Sequence, residues 1–198
     1  MRRPYQMLFP LLSLFIVRVD VTDLFPLVLR VKVLRVIDAD TVDVRSGSRT
    51  LRVRLLKLDA PEKGQPFLDG NGDAGRVAEN CAKAVISRAR SYQLKLVKQD
   101  VYGRFLGELE DVSLRLIQRG CSGIYPYTEF SSLREKFEFL RALSKARRER
   151  VGLWNFGGYR QPMLWRKSSK QTARRRYRQS GRRPKTYPLV RRSSHMED

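Results

Sequence analysis

Carboxylates and arginines collect where this sequence stops alternating between apolar and polar residues. Asp38 and Asp40 flank Ala39 in the break between two strand-like runs, and Asp59 and Glu62 follow a third run. Arg54 precedes Asp59 within that third run, and Arg104 follows Gly103 at the opening of another. Residues two apart on an extended chain point to the same side, so Asp38 and Asp40 share one side. The remaining composition narrows the chemistry. Two Cys and one His are too few for a four-ligand zinc site. The single histidine, His195, stands almost at the end of the chain, so no interior histidine is available as a general base. What remains is chemistry on carboxylates, guanidinium groups and an oxygen-preferring metal.

The elements that must position these groups follow from periodicity. VLRVKVLRVI (28–37) alternates apolar and basic residues, as a half-buried strand does. DADT (38–41) is a polar break, VDVRS (42–46) a second strand, and Ser46-Gly47-Ser48 a turn into the strand TLRVRLLKL (50–58). A loop rich in Gly, Asp and Asn runs from Glu62 to Gly75. Its Asp69-Gly-Asn71-Gly-Asp73 imitates an EF-hand start, but Ala74 and Asn80 stand where the invariant Gly and the bidentate Glu belong. Val77, Cys81, Ala84, Val85 and Ala89 then form one apolar stripe at helical spacing. YQLKLV (92–97) and RFLGEL (104–109) read as strands joined by a turn over 99–103. Leu114, Ile117 and Gly120 suggest a short helix with a glycine cap. Ser132-Leu-Arg-Glu135 is a capping box before a helix with Phe137, Leu140 and Leu143 facing inward. Five strands with one helix between the third and fourth and two at the end predict an α+β, mainly β, fold: an oligonucleotide-binding (OB) type five-stranded barrel with three helices over residues 26–156.

The ends differ from this middle. The chain has 198 residues, and 41 Lys plus Arg against 20 Asp plus Glu leave it at +21. At 41% hydrophobic residues it can build a core, so wholesale disorder is excluded and an anionic partner is indicated. Residues 166–192 hold twelve basic residues and no acidic one. The stretch 157–198 is therefore expected to be a disordered arm that contacts polyanions without sequence preference. Residues 1–25 contain the apolar run MLFPLLSLFIV (7–17) behind Arg2 and Arg3. That run is too short to span a bilayer but suits a signal-peptide core, which favours a secreted or periplasmic protein. An extra strand, an early translation start, a membrane anchor and a cytoplasmic location are the alternatives. Cys81 and Cys121 are compatible with two buried thiols or with one disulfide.

Three strings in register, V-I-D-A-D-T-V (36–42), R-L-L-K-L-D-A-P-E (54–62) and D-V-Y-G-R (100–104), resemble the staphylococcal nuclease (thermonuclease) family, as does Gly-Leu-Trp at 152–154. The resemblance covers residues from about 28 to 156. It implies a calcium-dependent, sugar-non-specific nuclease acting on DNA and RNA, which cuts the 5′ P–O bond and leaves 3′-phosphate ends. It further implies that Asp40, Asp59 and the Thr41 carbonyl hold Ca²⁺, with Asp38 and Asp100 supporting the site one layer behind. Hard oxygen ligands suit that cation. The resemblance gives Arg54 and Arg104 the scissile phosphate, for which planar, permanently charged guanidinium groups are suited. It gives Glu62 the role of general base. Tyr102, Tyr125 and Tyr127 fall at or near positions that contact the nucleotide, where aromatic stacking gives affinity with little sequence preference. No obligate protein partner is evident, and a monomer is expected. The chain departs from the family pattern at Ala39, where glycine is commoner, at Val101, where lysine often stands, and at Pro126 between the two tyrosines. The rival readings are a barrel of this type that binds nucleic acid without cutting it, and an interaction protein tethered by its basic tail.

Overall fold

In the computed structural model of the chain, residues 26–179 are described. The N-terminal apolar segment and the end of the basic arm lie outside them. Strand β1 (Leu27–Asp38) turns Val31, Val33 and Val36 into the core and Lys32 and Arg35 outward. It pairs antiparallel with β2 (Thr41–Ser46) on one side and β5 (Ser91–Gln99) on the other. β2 pairs with β3 (Arg49–Leu55), and β5 with β6 (Phe105–Leu109). A parallel pairing of β3 with β6, Val53 opposite Phe105 and Arg54 opposite Leu106, closes the five strands into a barrel. The expected OB-type barrel is therefore present. Val42, Val44, Val53, Leu55, Leu94, Leu96 and Leu109 are buried in its core.

The third strand ends earlier than the alternation of residues 50–58 suggests. Lys57 has φ +72°, a left-handed conformation that costs a residue with a Cβ about 1–2 kcal/mol. The chain bends there and resumes as β4 (Leu58–Asp59), which leaves the barrel and pairs with β7 (Gly123–Ile124). Lys57 is buried, and its ammonium donates to Glu108 Oε1 at 2.6 Å on β6 and to Glu135 on the third helix. Burial disfavours its charge, yet these two carboxylates outweigh that and hold its pKa above the usual lysine value. The ion pairs fix the bend that sends Asp59 out of the barrel.

Among the described residues four helices and a short 3-10 turn (Gly152–Phe156) accompany the barrel. Helix α1 (Ala74–Val85) buries Ala74, Gly75, Ala78 and Ala82. The expected stripe is rotated: Val77, Cys81 and Val85 are only half-buried, and Ala84 and Ala89 are exposed. Small alanines let α1 lie close to its neighbours, which larger residues would prevent. Helix α2 (Val112–Gln118) ends at Gly120, whose φ of +66° fits the glycine cap. Cys81 and Cys121 form a disulfide that joins α1 to the segment after α2, with Cα atoms 5.3 Å apart. Helix α3 (Leu133–Arg148) starts at Ser132, whose hydroxyl accepts from the Glu135 amide. Glu135 turns back to the amide and hydroxyl of Ser131 rather than to Ser132, because its other oxygen serves Lys57. The inward stripe of α3 is Phe139, Ala142 and Ala146; Phe137 and Leu140, expected inside, are 67% and 45% exposed. Both sets have helical spacing, and contact with α2, β7 and the 3-10 turn selects the stripe of Phe139 and two alanines.

The stretch expected as a disordered arm from residue 157 is ordered as far as it is described. Tyr159 bridges to Phe67, the Leu68 amide donates to the Gly158 carbonyl, and helix α4 (Pro162–Gln179) follows. Proline suits a first helical position, and the Arg, Lys, Gln and Ala that follow are good helix formers. Charge density alone does not stop such a segment from being a helix.

Candidate active site

Each acidic group is placed by the break between two elements. Asp38 ends β1, and its Oδ1 accepts from the Asp40 amide at 3.1 Å, tightening the turn into β2. Asp40 is 3% exposed, and its Oδ1 accepts from Arg54 Nη1 at 2.8 Å and from the Thr41 hydroxyl at 3.0 Å. Its Oδ2 accepts from the Ala60 amide at 3.2 Å, so Asp40 also ties the chain just after Asp59 to the barrel. Burial and the neighbouring Asp40 charge push the Asp38 carboxyl up to about 7.

Arg54 stands on β3 and Arg104 directly before the neighbouring β6, each held by a carboxylate of its own. Arg54 points from β3 to Asp40. Arg104, just before β6, donates through Nε to Asp100 Oδ2 at 2.8 Å, and the Arg104 and Tyr102 amides both donate to Asp100 Oδ1. Desolvation opposes the Asp100 charge, but these bonds win and hold its carboxyl below the usual range. Buttressing of this kind fixes the direction of a long side chain before any ligand arrives. Both arginines line a cleft of about 610 Å³ together with Glu62, Lys98, Tyr102, Tyr125 and Tyr127. Tyr102 and Tyr127 are exposed, and Tyr125 and Tyr127 meet edge to face with ring centres 5.8 Å apart.

Glu62 is placed by backbone contacts. Its amide donates to Gln65 Oε1 at 3.2 Å, and its carbonyl accepts from the Gln65 amide at 2.9 Å. Gly75, at the start of α1, packs directly on it: a Cβ there would sit 2.1 Å from the Glu62 carbonyl oxygen. Asp73 caps α1 and also accepts from the Gly64 amide at 3.0 Å, so the loop and the helix hold one another.

Asp59 is 2% exposed. Its Oδ2 is buried without a hydrogen-bond partner, although the Met163 amide lies near enough to favour the ionised form. Burial raises its pKa, against the pull of Arg166 and Arg54. A buried, unpartnered carboxylate oxygen beside a second buried carboxylate, Asp40, is a fitting donor set for a hard cation. Among the described residues no three His, Cys, Asp or Glu side chains converge, so such a site needs carbonyl and water oxygens as well.

Three contributors carry no role in the sequence reading, although one of them, Lys57, stands inside the second string. Lys57 sets the bend before Asp59, and Gly75 seats Glu62. Arg166, in the basic block, donates through Nη2 to Asp59 Oδ1 at 3.0 Å and through Nη1 to Glu62 Oε1. The structure thus joins Asp40 to Arg54, Asp59 to Glu62 through Arg166, and Asp100 to Arg104, with the three tyrosines on the rim of the cleft.

The family model described as "Staphylococcal nuclease homologue" matches residues 52–156. The chain belongs to the staphylococcal nuclease family. It is 31% identical over 154 residues to the micrococcal nuclease of Shigella flexneri, covering 71% of this chain and 82% of that protein. It is 32% identical to Protein ParB of Escherichia coli over 154 residues, 71% of this chain and 81% of that protein. An uncharacterized endonuclease of Escherichia coli O157:H7 is 26% identical over 140 residues, 68% of this chain and 83% of the relative. At the level of the staphylococcal nuclease family the associated activity is that of a nuclease, with nucleic acid as the substrate class.

Proposed function

We propose that this chain is a calcium-dependent nuclease that hydrolyses phosphodiester bonds of both DNA and RNA, cutting P–O5′ and leaving 3′-phosphate ends. The observation that carries this reading is the pair of arginines, Arg54 and Arg104, each buttressed by an aspartate and both opening on the cleft that Glu62 borders. Arg54 and Arg104 donate to the non-bridging oxygens of the scissile phosphate. Their contacts strengthen as negative charge gathers there in the transition state. Glu62 orients a water and takes its proton as the water oxygen bonds to phosphorus. The P–O5′ bond breaks on the opposite side, and the 5′ oxygen leaves with a proton from solvent. Asp40, Asp59 and the Thr41 carbonyl would hold Ca²⁺, while Asp38 and Asp100 orient Asp40 and Arg104. Ca²⁺, when bound, supplies a Lewis-acid contact to a phosphate oxygen and a place for the water.

Tyr102, Tyr125 and Tyr127 offer faces for bases entering the cleft, and the basic arm offers charge to the flanking phosphates. These contacts read no base edge, which suits cleavage without sequence or sugar preference. The Cys81–Cys121 disulfide and the apolar segment at 7–17 support export to an oxidising compartment, with the chain acting as a monomer. Digestion of a single-stranded DNA oligonucleotide in Ca²⁺, followed by end analysis, tests the reaction. The products are expected to block primer extension until a phosphatase removes the 3′-phosphate. Products that extend without phosphatase would contradict the assigned bond.

A further inference from the structure

Helix α4 crosses the site on an unusual footing. The segment leading to it is tied down: Gln65 Nε2, fully buried, donates to the Arg160 carbonyl at 2.6 Å, and Leu68 holds Gly158. Gly157 and Gly158 have φ +74° and +92°, conformations that glycine adopts freely. Beyond the buried Pro162, α4 lacks an apolar stripe and packs extensively on no strand or other helix among the described residues. Its firmest tie to the domain past that point is Arg166, whose guanidinium spans Asp59 and Glu62. Those are the two carboxylates that a metal and an attacking water would need.

We propose that Arg166 is a built-in cation that occupies Asp59 and Glu62 in the metal-free chain, so that α4 is a self-inhibitory strap which Ca²⁺ must displace. This rests on the calcium reading above. Asp59 is almost fully buried, and a buried carboxylate without a counter-charge is strongly destabilising. Arg166 supplies that counter-charge. Arg166 holds Asp59 Oδ1 and leaves Oδ2 to a cation, but a divalent cation there repels the guanidinium across the same carboxylate, so the two disfavour each other. Displacement frees Glu62 at the same step, because one side chain holds both carboxylates. Metal binding is thereby coupled to opening of the cleft and to release of the basic helix toward phosphates.

The test is calcium titration calorimetry on the full chain, comparing the wild type with Arg166→Gln and with Lys167→Gln. Lys167 is an exposed neighbour on the same helix, so its variant removes the same charge without touching Asp59. A strap lowers the apparent affinity by the fraction of molecules already open, so Arg166→Gln is expected to bind Ca²⁺ about tenfold tighter or more. Lys167→Gln is expected to match the wild type. Equal affinity in the wild type and Arg166→Gln would overturn the strap and leave the calcium site standing. An equal gain in Lys167→Gln would also overturn it, assigning the effect to bulk charge. No binding to any of the three would overturn the calcium reading, and the strap with it. Trp165, half-buried beside Arg166, gives a second readout that needs no variant. Ca²⁺ should shift the wild-type tryptophan emission to the red, and an unchanged emission while Ca²⁺ binds would contradict release of α4.

Discussion

Glu62 is seated through its own backbone, by Gln65 and Gly75, and this gives separate predictions for its side chain and its seat. Glu62→Gln keeps the shape and removes the base, so it should lower the cleavage rate roughly 10²–10⁴-fold in a single-turnover assay with binding retained. Gly75→Ala leaves the carboxylate intact but forces a methyl against the Glu62 carbonyl. It should lower the rate as well, with a loss of thermal stability that Glu62→Gln does not show; wild-type rate and stability in this variant would contradict the assigned contact. Residues such as Asp38, Asp40, Asp59 and Glu62 were legible because they stand at strand ends in short motifs. Arg166 was not, because it lies 104 residues from Glu62 inside a block where many arginines look alike. Nothing local distinguishes the one that folds back onto the site.

At the scale of the elements, strand alternation predicted the barrel, since burial with a period of two belongs to extended strands and not to helices. It failed at Lys57, where a left-handed residue breaks the run and two distant carboxylates hold the break. Helix faces were harder: α3 offers two apolar stripes with the same spacing, and only tertiary packing chooses Phe139, Ala142 and Ala146. The Lys57 junction has a pH signature. Glu135 is desolvated, yet Lys57 and Ser131 hold its pKa below its ordinary 4.5. A depressed carboxylate stabilises the fold above its unfolded pKa, and that contribution is lost as pH falls through the folded value. The melting-temperature gap between the wild type and Glu135→Gln should therefore be present at neutral pH and shrink below about pH 4. A gap that widens with acid would reverse the sign of this effect. The disulfide bears on the same scale: its sequence separation of 40 suggests that Cys81→Ser with Cys121→Ser costs on the order of 4 kcal/mol, measurable by denaturant unfolding.

For the whole molecule, the charge of +21 resolves into unlike parts. A few arginines are committed to carboxylates in and around the cleft, and the basic block at the C-terminal end splits between α4 and the residues after it. Deleting residues 180–198 should weaken binding of single-stranded DNA by the Glu62→Gln chain. It should also flatten the salt dependence, by about 0.7 in the log–log slope for each phosphate those residues neutralise; an unchanged slope would make that stretch a bystander. The proposed activity requires that the cleft cut nucleic acid with calcium held by Asp40 and Asp59. Its most direct test is digestion of single-stranded DNA by the purified full chain in Ca²⁺, repeated with excess EDTA and again after Ca²⁺ is restored. Cleavage, its loss in chelator and its return with calcium are the predicted results, whereas cleavage that continues in excess EDTA would contradict the claim.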